Sequence, residues 1–175
     1  KGYDLEKMWP LFKKVELWPS IEGFKEKAEY GRKGLDWDLF VSNSERFKNY
    51  ISSYSLVSNI FSITSNIELI KWIKSIDKNF SITNLVVPSY HSTTVLPKTI
   101  KKNIIQSYKT EIQSISSILT KYEIDTILDS LRHMSSEDNN HLENDFKKFT
   151  TNSDLYRNES FESVFPEFSE WYRNI

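Results

Sequence analysis

Apolar positions along the first hundred residues recur at two different periods. Val15, Leu17, Pro19 and Ile21 alternate with Glu16, Trp18 and Ser20. That is the period-two pattern of a strand over residues 14–21. Pro19 has no ladder donor, so an edge or a distortion is expected there. Glu22-Gly23 closes the strand, and a short helix is expected over 25–30. After Gly31-Arg32-Lys33-Gly34 the period lengthens. Trp37, Phe40, Val41, Ser44 and Phe47 fall on one face of a helix running to residue 49, with Asp36 placed to cap it. Two further strand patterns, 55–63 and 80–87, flank a helix over 67–76. Thr64-Ser65-Asn66 precede that helix as cap residues, and Pro88 ends the last strand.

Beyond Pro97 the pattern is helical almost throughout. Ile100, Ile104, Tyr108, Ile112, Ile115 and Leu119 fall three or four apart, an amphipathic stripe. Ile124, Ile127, Leu128 and Leu131 mark a second helix, and Leu142, Phe146 and Phe149 a third. The closing Phe161, Val164, Phe165, Phe168 and Trp171 are apolar enough to dock rather than fray. Strand, helix, strand, helix, strand implies right-handed crossovers in a parallel sheet. The expected fold is therefore α/β over 1–97, followed by a helical extension over 98–175 packed on it. Three strands cannot close a barrel, so an edge is left to be covered by another segment or chain.

Composition narrows the function classes. Lys plus Arg number 23 and Asp plus Glu 24, a net charge of -1. Such a balance gives no long-range field to draw in nucleic acid or an anionic membrane. Cys is 0, which excludes disulfides, zinc–thiolate sites, a catalytic Cys and any Cys-held cluster within this chain. No apolar run reaches the roughly 20 residues of a membrane helix. A cytoplasmic location without membrane contact is expected. The opening Lys1-Gly2-Tyr3-Asp4 reads as a start inside a longer protein.

Polar groups gather at the expected carboxyl ends of the strands: Ser20 and Glu22, then Thr64 and Asn66, then Asn84 and Ser89. Parallel sheets and barrels bind ligands at that edge. Hydroxyls, an amide and a carboxylate suit a sugar or an amino-acid headgroup, and Arg32 suits a carboxylate. The same residue types also cap helices and turn loops. His91, His133 and His141 are too scattered for a metal-ligand set. Lys98, Lys101 and Lys102 read as a solvated helix face. Asp125 and Asp129, an i, i+4 pair, read as an exposed face, and Trp9, Trp18 and Trp37 as core.

The residues together resemble a known family. Val15-Glu16-Leu17-Trp18-Pro19-Ser20-Ile21-Glu22-Gly23-Phe24, followed by Ala28-Glu29-Tyr30-Gly31-Arg32-Lys33-Gly34-Leu35-Asp36-Trp37, is similar to the middle of radical S-adenosylmethionine (AdoMet, radical SAM) proteins of the twitch-domain type. Their pattern is a strand ending Ser-Ile-Asp-Gly, then Glu-Tyr-Ile-Arg-x-Gly-x-x-Trp. Ser62-Ile63-Thr64-Ser65-Asn66, Asn84-Leu85-Val86-Val87-Pro88-Ser89-Tyr90 and Leu96-Pro97-Lys98 resemble later segments. Arg157-Asn158-Glu159-Ser160-Phe161 and Val164-Phe165-Pro166-Glu167 resemble the C-terminal one. Two positions depart from the pattern: Glu22 stands where Asp is usual, and Gly31 where Ile precedes the Arg.

The resemblance implies the second half of a partial (β/α)6 barrel, strands four to six plus a helical tail. Its partner would be the N-terminal half, which carries the three cysteines of a 4Fe-4S cluster. Arg32 would hold the AdoMet carboxylate and Ser20 its amino or ribose side. Asn66 would touch the ribose, Asn84 the adenine or the substrate, and Glu22 would belong to the same cofactor-binding group. The substrate is unknown, and this chain alone would be inactive. The alternatives are a non-catalytic α/β-helical protein-interaction domain or, within the resemblance, a degenerate radical SAM copy.

Overall fold

The structure is a computed structural model that describes residues 5–175; the opening Lys1-Gly2-Tyr3-Asp4 lies outside the described residues. Three parallel strands, β1 (Ser20–Ile21), β2 (Ser53–Ser58) and β3 (Asn79–Asn84), form one sheet in the order β1-β2-β3. Helices α1 (Glu26–Gly31) and α2 (Trp37–Arg46) connect the first two strands, and α3 (Asn66–Ser75) the last two. The tail is α4 (Lys98–Ile115), α5 (Lys121–Ser136), α6 (Glu143–Arg157), α7 (Phe161–Val164) and α8 (Ser169–Asn174). The α/β class with a parallel three-stranded sheet is as the pattern predicts. Among the described residues no helix is long and apolar enough to cross a membrane.

Strand ends differ from expectation for local reasons. The pattern over 14–21 yields only a bridge, Leu17 to Ile51, and the two residues of β1. Leu17 N–H donates to Tyr50 O at 2.8 Å and Ser55 N–H to Pro19 O at 2.9 Å. The ladder thus resumes on either side of Pro19 and breaks where its missing N–H would fall. β2 stops at Ser58 rather than continuing to 63. There the Ser62 hydroxyl accepts from Asn59 N–H at 3.0 Å and donates to Val57 O at 2.7 Å. A side chain takes over groups the ladder would have used, and the chain turns. Gly23, at φ +81, makes the turn out of β1; a Cβ there would lie 3.2 Å from Ser65 Oγ, which accepts from Phe24 N–H at 3.1 Å.

The two sheet faces are unlike. Tyr54, Leu56 and Ser58 of β2 are buried, as is Phe80 of β3, and Tyr54 meets Phe40 of α2 and Trp72 of α3 edge to face. The alternate positions are open to differing degrees: Ser53, Ser55 and Val57 are partly exposed, and Asn79 and Thr83 are exposed. Across this open face Ser20, Ser55 and Ser81 stand in register. At the β3 side, α5 packs on the strand, with Ser130 Oγ donating to Ser58 Oγ at 2.8 Å. No strand pairs with the outer edge of β1 among the described residues.

The tail is built into the same core. Phe146, Phe161, Phe165 and Phe168 are each at most 1 % exposed, and Phe61 and Tyr30 from the first half pack among them. Tyr108 of α4 donates its hydroxyl to Ile63 O at 2.6 Å. The α4 stripe faces inward as expected: Ile104, Tyr108 and Ile115 are buried. Two expectations fail. Trp18 is 61 % exposed rather than core, because it lies on the polar parity of its segment. Lys101 is 5 % exposed rather than solvated; its ammonium donates to Thr94 O at 2.7 Å and Glu137 O at 2.9 Å, which offsets the cost of burial.

Candidate functional site

Residues that directly follow the three strands, Glu22, Asn59 and Leu85, border one cavity of about 190 Å³ at the carboxyl edge of the sheet. Tyr30 and Gly31 of α1 and Phe61 of the turn after β2 form further wall. His91 enters from the 3-10 turn Ser89–His91, and α6 supplies Phe149, Ser153 and Arg157. The tail therefore closes over the edge where parallel sheets bind ligands.

Glu22 organises the near side. Its Oε1 accepts from Arg32 Nη2 at 2.9 Å and its Oε2 from Asn59 Nδ2 at 3.3 Å. Arg32 Nη1 also donates to Ser20 O at 3.1 Å. The Arg32 side chain is 45 % exposed and that of Glu22 22 %, so the pair is solvent-screened and holds geometry more than it stabilises. Arg32 is the C-cap of α1, just beyond Gly31, so the glycine sits at the helix end, where its cost is smaller than in the interior. A Cβ at Gly31 would meet Phe61 Cβ at 3.7 Å, an ordinary contact.

The far side is tied together by hydrogen bonds and ring packing. Tyr30 Oη donates to Asp154 Oδ1 at 2.7 Å, and Asp154 Oδ2 accepts from Phe161 N–H at 2.8 Å. Burial first, then that carboxylate, pushes the Tyr30 hydroxyl far above the ordinary tyrosine range, so it remains a donor. Arg157 Nη1 donates to Tyr30 O at 3.1 Å. The His91 ring is packed by Phe149 at 4.5 Å and Phe61 at 4.9 Å between centroids. Burial pushes its pKa down to about 4, so the ring is neutral at pH 7.

Of the residues singled out in the sequence, Ser20, Glu22 and Arg32 come together. Asn66 and Asn84 stand elsewhere. Asn66 is the first residue of α3, 1 % exposed, and Asn84 pairs with Ser58 on the helix-covered face. Neither amide oxygen has a partner among the described residues. Asn59, His91 and Arg157 were missed. The strand pattern over 55–63 hid Asn59 inside an element it actually ends. A lone His91 carries no sequence signal for this position, and Arg157 none beyond the segment Arg157-Asn158-Glu159-Ser160-Phe161.

The cavity lining combines a carboxylate, an amide, an imidazole and a guanidinium. Ser92 Oγ lies 3.4 Å from His133 Nε2, but it caps the 3-10 turn Thr93–Val95, accepting from Thr94 N–H and Oγ1–H. Among the described residues no three His, Asp or Glu side chains converge as a metal site requires. No family model, curated protein or solved structure matches this chain.

Proposed function

We propose that this chain is the C-terminal portion of a radical S-adenosylmethionine protein of the twitch-domain type, contributing AdoMet contacts and the substrate side of a partial barrel. One arrangement carries the reading. A parallel sheet is covered by helices on one face and leaves hydroxyls in register on the other, with Arg32, Glu22 and Asn59 grouped at its carboxyl edge. Purely parallel sheets are ordinarily covered on both faces. A one-sided sheet with an unpaired β1 edge is the form a half-barrel takes, its open face turned toward the missing N-terminal half.

The donor and acceptor set suits AdoMet. Arg32 uses two of its five N–H groups on Ser20 O and Glu22, and the others suit a carboxylate. Ser20 serves the amino or ribose side. Asn66 and Asn84, which the resemblance assigns to the ribose and the adenine, are set apart from this group, so the reading rests on Arg32, Ser20 and Glu22. When bound to a 4Fe-4S cluster, AdoMet supplies a 5′-deoxyadenosyl radical. Cluster ligands are not in this chain, which has 0 Cys, so its own residues bind, orient and exclude water. The aromatic tail over the carboxyl edge suits the last of these roles.

A second reading, a non-catalytic interaction domain, is favoured by Leu155 and Tyr156, which are 79 % and 92 % exposed at the end of α6. The coding sequence ahead of Lys1 separates the two. The first reading expects Cys-x-x-x-Cys-x-x-Cys about 60–120 residues upstream, the span of three further βα units. A reading frame that starts without it contradicts that reading.

A further inference from the structure

Trp18 stands apart from the other Trp residues. Trp9, Trp37, Trp72 and Trp171 each pack against another aromatic ring. The Trp18 side chain is 61 % exposed and makes no ring contact or hydrogen bond among the described residues. Leu17 and Pro19 both turn their carbonyls to β2, accepting from Ser52 N–H at 3.1 Å and Ser55 N–H at 2.9 Å. The residue between them therefore lies on the same side of the sheet as Ser20, and Trp18 rises at the β1 margin of the open face. An indole held there offers apolar area that water covers at a cost, and such surface marks an interaction site.

The floor beside the indole is hydroxylated and neutral. Ser55 and Ser81 stand in register on β2 and β3, and Ser53 and Thr83 flank them on the same face. All four are at least partly exposed, so a ligand reaches them. None of their hydroxyls has a hydrogen-bond partner among the described residues, whereas the buried Ser58, Ser62 and Ser65 hydroxyls are all bonded within the chain. A free hydroxyl both donates and accepts, which is what another hydroxyl requires. The strand positions of this face carry no ionised side chain, so a charged ligand would give up water for no counter-charge and a neutral one is favoured. Neighbouring strands run about 4.8 Å apart, the separation of alternate equatorial hydroxyls around a pyranose ring.

We propose that the open sheet face binds a neutral pyranose sugar, its C–H face against the Trp18 indole and alternate equatorial hydroxyls bonded to Ser55 and Ser81. The ring stands edge-on to the sheet with Trp18 as its wall, and Ser20 and Arg32 are left to AdoMet. The sugar is then the substrate class of the chamber, an assignment that rests on the half-barrel reading. Binding to the face does not rest on it, because every contact lies within this chain.

The experiment is an NMR titration of this chain with methyl β-D-glucopyranoside, following the Trp18 indole N–H and the backbone amides of Ser55 and Ser81. Tetrahydropyran-2-methanol, which lacks the ring hydroxyls, is titrated in parallel with glucuronate and adenosine. The glucoside should shift all these signals saturably, and tetrahydropyran-2-methanol should leave the Ser55 and Ser81 amides unmoved. Trp18→Ala, a change at an exposed side chain, should keep the fold and weaken glucoside binding about tenfold, the worth of one aromatic contact. No saturable shift, undiminished binding by Trp18→Ala, equal shifts with tetrahydropyran-2-methanol, or tighter binding of glucuronate would overturn the proposal. Tighter binding of adenosine would overturn it in favour of a nucleoside, and the same shifts on raising protein concentration alone would overturn it in favour of a second copy. Absent sugar binding beside an AdoMet affinity that depends on Arg32 would remove this inference alone. Sugar binding by a protein without AdoMet affinity would remove the cofactor reading alone.

Discussion

Tyr30 and Asp154, 124 positions apart, meet hydroxyl to carboxylate at 2.7 Å. The contact fixes α1, which leads to Arg32, against α6, which carries Ser153 and Arg157. Both sides of the cavity are joined by this hydrogen bond together with that from Arg157 Nη1 to Tyr30 O at 3.1 Å. Tyr30→Phe keeps the ring and removes the donor. A hydrogen bond to a charged group contributes about 1.5–3 kcal/mol, and the low end applies to this part-buried one. Urea denaturation should show a loss of about 1.5 kcal/mol with an unchanged slope.

Removing the chain after Thr151 tests how far the tail is structural. It deletes Phe161, Phe165 and Phe168, all at most 1 % exposed. Each buried Phe contributes roughly 1.5–3 kcal/mol, and a domain's whole stability is about 5–15 kcal/mol. The truncated chain should lose its cooperative thermal transition. A truncated protein with an unchanged melting temperature would show the aromatic cluster to be dispensable.

The tail helices were the most legible part of the sequence. The period of Ile104, Tyr108 and Ile115 faces the core, and Asp36 caps α2 by accepting from Leu39 N–H at 2.8 Å. Both signals are local, so no tertiary knowledge is needed to read them. The end of β2 was not legible, because it depends on a Ser62 hydroxyl competing with the ladder. That miss concealed Asn59. The burial of Lys101 was equally unreadable, since the carbonyls it meets come from Thr94 and Glu137. The grouping of Glu22 with Arg32 was legible in part: both flank the β1–α1 turn. Asn66, which the resemblance assigns to the ribose, is buried at the start of α3, because β2 ends at Ser58 and Asn59 is the residue that follows it.

Glu123 gives a pH-dependent prediction. It is 1 % exposed, closes a capping box with Thr120 and accepts from Lys74 at 3.0 Å. Burial, the largest single influence, raises its pKa, but the Thr120 N–H, the Lys74 ammonium and the Thr120 hydroxyl together hold it below the ordinary 4.5. Its stabilising contribution is complete above the unfolded value and is lost as pH falls through the lower folded value. Glu123→Ala should cost about 1–3 kcal/mol at pH 7. The gap between wild type and variant should close in acid, as read by denaturation at stepped pH.

His91 acts with the opposite chemistry and the same sign. Its folded pKa of about 4 lies below the ordinary 6.5, so the unfolded chain binds more protons between those values. Stability should rise with pH across about 4 to 6.5. His91→Phe should flatten that part of the profile. NMR should find the ring neutral at pH 6; a ring already half protonated there would contradict its burial.

The proposed function turns on AdoMet binding through Arg32. The direct measurement is calorimetric titration of AdoMet into the protein made from its full reading frame, after anaerobic reconstitution of the proposed 4Fe-4S cluster. Arg32→Ala should weaken binding about ten- to a hundred-fold, the worth of a charge-assisted bidentate contact. Arg32→Lys should fall between, because an ammonium lacks the planar fork. Equal affinity for wild type and Arg32→Ala, or no AdoMet binding by the wild type, would contradict it.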